Sequence, residues 1–127
     1  MNDESQSPII IYEDANHAVE VRLDANQQTV WLTQAQMAVL FDVKPQNITM
    51  HLRNIYGEGE LVEEATCKDY LQVQLEGGRE VKRKRKHYSL DVAISVGYRV
   101  SSVRATRFRS WATRILRDHL TQGWTLN

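Results

Sequence analysis

The stretch TQAQMAVLFDVKPQNITMHLR, Thr33 to Arg53, reads as two short helices joined by a tight turn, with helix-turn-helix spacing. Thr33 and Gln36 stand at capping-box positions, and Leu32 and Met37 sit where a hydrophobic staple fixes the incoming chain. Ala38, Leu40 and Phe41 give the first helix its apolar side. Asp42-Val43-Lys44 makes the connection, and Pro45 suits the first turn of a new helix, where a missing N–H costs nothing. Asp42 occupies a turn position that favours glycine, but aspartate tolerates the left-handed conformation better than most residues. Ile48, Leu52 and Ile55 recur at helical spacing and predict the buried side of a second helix over residues 45–56. Gln46, Asn47, Thr49, Met50 and Arg53 then point outward, and these side-chain types can touch base edges. An ordinary helical hairpin with a solvated outer face has the same pattern.

Ahead of this pair the chain reads as β-structure. Ile9-Ile10-Ile11-Tyr12, Val19-Glu20-Val21-Arg22-Leu23 and Thr29-Val30-Trp31-Leu32 are three short strands, separated by turns at residues 13–16 and 24–26. They form a small antiparallel sheet that delivers the chain to the Thr33 cap. Residues 1–8 are polar and read as a disordered tip.

Beyond the pair, Gly57-Glu58-Gly59 is a helix stop; a phosphate loop there would be repelled by Glu58 and Glu60. Tyr70 to Leu75 alternates apolar and polar residues, Gly77-Gly78 is a two-residue hairpin turn, and Arg79 to Tyr88 returns. The returning strand carries Lys82-Arg83-Lys84-Arg85-Lys86. Alternation places those cations on both faces, which suits an edge strand or a protruding hairpin. Lysines also protect sheet edges, but five consecutive cations exceed that need and favour phosphate contact. Ser89 is placed to cap a helix from Leu90, with Gly97 loosening its end. A break at residues 100–102 leads to an amphipathic helix whose stripe is Phe108, Trp111, Ala112, Ile115, Leu116 and Leu120, with Gly123 as its stop. Arg104, Arg107, Arg114 and Arg117 lie largely off that stripe; such a face can be solvated, reach DNA flanks or meet the acidic front half, and the last is the favoured expectation.

The 127 residues carry 16 basic and 16 acidic side chains, yet the charge is segregated. Up to Glu64 there are eleven acids against three bases, a net of −8; from Ala65 onward there are thirteen bases against five acids, a net of +8. Such asymmetry supports one electrostatic face despite overall neutrality. No apolar run approaches membrane-spanning length, the first residues lack the features of a signal peptide, and Cys67 is the single cysteine. A cytoplasmic setting without disulfides, and no membrane partner, is the expectation. His17, His51, His87 and His119 do not pair with Cys67 or each other at metal-ligand spacing, and His51 and His119 read as packed or partly solvated side chains. No nucleophile stands in a recognisable context, and Glu58, Glu60, Glu63 and Glu64 read as a solvated turn. The chain is not expected to be an enzyme or to hold a cofactor or metal.

Four segments carry a resemblance: Trp31-Leu32-Thr33-Gln34, Asn54 to Leu61, His87 to Val100, and Arg104 to Thr113. Together they closely resemble the RhuM family of virulence-associated bacterial proteins, over nearly all of Ile9 to Gly123. More distantly the chain is similar to the Bro-N domain of phage antirepressors. The resemblance implies a DNA-binding domain. It also implies a further C-terminal domain in longer members, in some cases of Fic/Doc type. The expectation is therefore an α+β fold, a single winged helix-turn-helix-like domain over 9–127 with a small N-terminal antiparallel sheet, a basic β-hairpin and a C-terminal amphipathic helix. Its function is sequence-specific binding of double-stranded DNA, as a transcriptional regulator or antirepressor-like protein. Gln46, Asn47, Thr49, Met50 and Arg53 are the base-reading candidates; Lys44, Lys82, Arg83, Lys84, Arg85 and Lys86 are the phosphate contacts. A homodimer is open, and the competing reading is a protein–protein interaction or oligomerisation module without DNA readout.

Overall fold

Three hairpin-like pairings and one long-range pairing assemble a single antiparallel sheet. The computed structural model describes residues 8–14 and 17–122; the expected tip (apart from Pro8), part of the 13–16 turn and the Gly123 stop lie outside them. Strands β1 (Ile9–Asp14), β2 (His17–Asp24) and β3 (Thr29–Thr33) are followed by helices α1 (Gln34–Phe41), α2 (Pro45–Gly57) and the single turn α3 (Glu63–Thr66). Strands β4 (Cys67–Glu76) and β5 (Arg79–Ser89) form the second hairpin, and α4 (Leu90–Val100) and α5 (Ser102–Gln122) complete the described chain. The strand order is β1-β2-β3-β5-β4.

The front sheet and the basic hairpin are therefore continuous, which corrects the expectation of two separate elements. Trp31 pairs with Ser89, Leu32 with Tyr88 and Thr33 with His87. β4 is the outer strand of the sheet, and residues 79–86 of β5 extend past the end of β3, so the basic run lies in a protruding hairpin, one of the two placements expected of it. Sequence separation hides this junction, because nothing local in β3 or β5 specifies the other as partner.

Alternation sorts the sheet into two faces. Val19, Val21, Leu23, Val30, Leu32 and Tyr88 join the main core with Met37, Leu40 and Phe41 of α1 and Ile48, Leu52 and Ile55 of α2. From the last two helices Val92, Val96, Phe108, Ala112 and Leu116 fill the same core. Tyr12 meets Phe108 edge-on at 5.2 Å and Trp111 at 4.9 Å, which ties β1 to α5. Burial pushes the Tyr12 phenol above its ordinary pKa. His119 is also buried, and loss of solvation lowers its imidazole pKa, so the ring packs neutral.

The opposite face has its own cluster. Trp31, Tyr70 and His87 are buried there, with ring centroids 6.2 and 5.0 Å apart. Arg22 lies over Tyr70 at 4.6 Å and Lys68 over the same ring at 5.0 Å, so cations cover the aromatic cluster. Trp31 Nε1 donates to Asp24 at 3.0 Å, which satisfies the indole on burial.

Two local readings change at the start and middle of α4. Ser89 occupies the N-cap position but its side chain makes no cap hydrogen bond; Leu90 N–H donates instead to Thr29 Oγ1 at 3.0 Å, across the β3–β5 junction. Gly97 does not loosen a helix end. It is buried within α4, and a Cβ there would stand 2.6 Å from Phe41 Cζ and 2.8 Å from Ala105 Cβ. The glycine is a close-approach point for three helices.

Gly97→Ala is therefore expected to destabilise the fold by about 1–3 kcal/mol in chemical denaturation, overpacking outweighing the gain in helix propensity. Thr33→Ala removes the side-chain half of the α1 capping box, Gln36 N–H to Thr33 Oγ1 at 3.1 Å, and leaves the backbone N–H of residue 33 donating to Gln36 Oε1, at 2.8 Å in the native chain. Its expected cost in the same measurement is about 1–2 kcal/mol.

Candidate nucleic-acid interface

The α1–α2 pair forms as the spacing requires. Asp42 adopts the left-handed conformation, φ 57° and ψ 51°, and its N–H returns to the α1 carbonyls of Ala38 and Val39. Val43 N–H also donates to Ala38 at 3.0 Å, and His17 Nε2 approaches the Asp42 carboxylate at 3.6 Å. These contacts hold aspartate where glycine would be easier. Lys44 is extended and places Pro45 in the first turn of α2.

Ile48, Leu52 and Ile55 are buried, and Gln46, Asn47, Thr49, Met50 and Arg53 are all exposed. The five base-reading candidates are not equivalent. Thr49 Oγ1 donates to the Pro45 carbonyl at 3.2 Å and is held in a close hydrogen bond with Gln34 Nε2, which also donates to Pro45 at 3.0 Å. Gln34 thus ties the N-terminus of α1 to the first turn of α2. Sequence reasoning missed it, since only the packed pair brings residues 34 and 45 together. Thr49 serves that clasp, leaving Gln46, Asn47, Met50 and Arg53 as the outward set.

The hairpin turns at Gly77 and Gly78, with φ 59° and 79°, the two positive values a type I′ turn demands. Cross-strand pairs run without interruption from Cys67↔Tyr88 to Glu76↔Arg79. Lys82, Lys84 and Lys86 share one face with Leu71, Val73 and Leu75, whereas Arg79, Arg83 and Arg85 share the other with Gln72, Gln74 and Glu76. Arg83 engages Glu76 through two hydrogen bonds, 2.8 and 2.6 Å, and this guanidinium holds the Glu76 carboxyl below the usual range. Arg85 donates to Gln74 at 3.2 Å and Lys86 lies 3.6 Å from Glu63. Among the described residues Lys82, Lys84, Lys44 and Arg53 enter no ion pair, and all four are exposed.

The two parts meet at a cleft of about 490 Å³, lined by Thr33, Gln34, Ala35 and Pro45 on the helical side and by Gln72, Gln74, Arg85, Lys86 and Tyr88 on the hairpin side. Burial pushes the Tyr88 phenol up to about 12, so it remains a neutral hydrogen-bonding group. Below the cleft, Tyr56 and Thr66 hydroxyls bond at 3.0 Å and anchor α3 to α2. The acidic cluster is not a purely solvated turn. Glu63 and Glu64 begin α3, and Glu58 and Glu60 both bind Arg99, at 3.1 and 2.8 Å. One arginine of the last helix does meet the front sheet, as Arg107 pairs with Asp14 at 3.3 Å.

Among known proteins, no curated protein and no solved structure matches the chain. A family model does: residues 65–127 match the Virulence protein RhuM family. The matched segment holds the basic hairpin, α4 and α5, and leaves α1 and α2 outside it. Through this C-terminal half the chain belongs to the Virulence protein RhuM family.

Proposed function

We propose that the chain is a duplex-DNA-binding module of winged helix-turn-helix type, a transcriptional regulator or antirepressor-like protein rather than an enzyme. In this reading α2 enters the major groove and the β4–β5 hairpin grips the adjacent backbone. One observation carries it: the cleft joins the first turn of α2, at Pro45, directly to Arg85 and Lys86 of the hairpin. A duplex seated on the outward side chains of α2 thus has the hairpin cations beside it. Gln46 and Asn47 offer the amide groups that pair with adenine, Met50 an apolar contact for a thymine methyl, and Arg53 a guanine-reading fork. Lys82 and Lys84, with no acidic partner among the described residues, supply the uncompensated charge, and Lys44 adds to it at the start of α2.

The division of labour is testable by ionic strength. Binding to random duplex should weaken steeply between low and moderate salt, and replacing Lys82, Lys84 and Lys86 with alanine should flatten the log–log slope by roughly one unit per lost phosphate contact. Lys86, held by Glu63, should contribute least. Asn47→Ala and Arg53→Ala should instead change the preference among sequences in a selected pool. An unchanged slope removes the hairpin from the interface, and unchanged preferences remove α2.

A further inference from the structure

The basic strand has a free edge of its own. β3 meets β5 only at residues 87–89, so among the described strands none pairs with the side of β5 away from β4 over residues 79–86. The turn fixes which groups that side offers. A two-residue loop makes Glu76↔Arg79 a hydrogen-bonded pair, so odd-numbered residues of β5 bond to β4 and even-numbered ones point away from it. Leu90 follows the same parity, since its N–H turns to Thr29 of β3. The N–H and C=O groups of Lys82, Lys84 and Lys86 therefore face outward past the end of β3. Among the described residues no backbone group pairs with them. The cleft of about 490 Å³ opens beside this edge, with Thr33, Gln34, Ala35 and Pro45 on its helical side.

Two constraints select what fits there. Alternating N–H and C=O groups match another extended backbone, whereas a row of phosphates would meet the carbonyls as well as the amides. The side chains then select the charge. Residues directly opposite in an antiparallel pair share a face, so positions opposite Lys82, Lys84 and Lys86 project beside those ammonium groups. Lys82 and Lys84 enter no ion pair among the described residues, and Lys86 makes the 3.6 Å contact with Glu63. Glu80 ends the basic run on the same face. A second β5 strand does not fit, because registers centred on Arg83 or Lys84 set Lys82 against Lys84 or Lys86.

We propose that the free edge of β5 binds an acidic extended segment of a partner protein. The segment pairs antiparallel, as a continuation of β3, with carboxylates opposite Lys82, Lys84 and Lys86. It lies in the cleft between α2 and the hairpin, so under the duplex reading above segment and DNA exclude each other. The pairing itself does not rest on that reading.

Peptide titration followed by NMR tests the pairing without DNA. The probe is acetyl-Glu-Thr-Glu-Val-Glu-Thr-Lys-amide, whose first residue stands opposite Lys86 and whose last stands opposite Glu80. Binding should shift the amides of residues 80–86, and replacing the three glutamates by glutamine should weaken it roughly tenfold or more. N-methylation separates backbone pairing from charge attraction. Methylating the glutamate amides removes the donors aimed at β5 and should weaken binding roughly tenfold or more. Methylating the valine and threonine amides, which point away from β5, should cost less than about threefold. On the protein side, Lys84→Pro removes an edge N–H without losing a bond to β4, and should bind roughly threefold or more below Lys84→Ala. A native chain that leaves the probe unbound overturns the proposal, and if that chain still binds duplex the DNA reading stands. Equal losses from the two methylation patterns also overturn it, as does undiminished binding of the glutamine probe.

Discussion

Three residue pairs between β3 and β5 hold the architecture together. Trp31↔Ser89, Leu32↔Tyr88 and Thr33↔His87 join the N-terminal strands to the basic hairpin, and both strands leave that junction directly into helices. Thr33 ends β3 and caps α1; Ser89 ends β5 and precedes α4. Thr29, at the start of β3, fastens the β5 exit by accepting the first free N–H of α4. The position of α2 follows from α1, through Asp42 and the Gln34 clasp, and the hairpin position follows from β5. A slip of one residue at the junction would exchange the two sheet faces. It would bring Trp31 and His87 to the helical core in place of Leu32 and Tyr88.

Electrostatics are organised by the same frame. The chain is neutral, with an acidic front and a basic remainder, and the fold cancels part of that opposition through Arg107 with Asp14, Lys86 with Glu63, and Arg99 with Glu58 and Glu60. These pairs lie at the surface, where solvent screens them, so they contribute less to stability than to the local distribution of charge. Among the cations that enter no ion pair in the described residues are Lys82 and Lys84 on the hairpin, Lys44 just before α2 and Arg53 on it. Neutrality in the whole chain is therefore compatible with a cationic patch beside the cleft.

Much of this was legible in the sequence where the determinants are local. The capping box, the left-handed Asp42, proline at the start of α2 and the Gly77-Gly78 turn each follow from a few adjacent residues. The stripe Ile48, Leu52, Ile55 follows from periodicity. The unread features depend on residues far apart in the chain. Gly97 resembles a helix weakener until Phe41 and Ala105 are seen against it. Ser89 resembles a cap until Thr29 takes that role. The hydrogen bond between Gln34 and Thr49 and the pairing of β5 with β3 at residues 87–89 are hidden in the same way. The RhuM resemblance, read over most of the chain, is matched over residues 65–127.

The central claim is that the β3–β5 junction sets the outer face of α2 and the basic hairpin against one duplex. Mapping backbone amide shifts by NMR as a short duplex is titrated into the chain tests this most directly. The account predicts that residues 44–53 and residues 72–86 shift together, in one binding event. Shifts confined to α4 and α5, or to only one of the two segments, would contradict it.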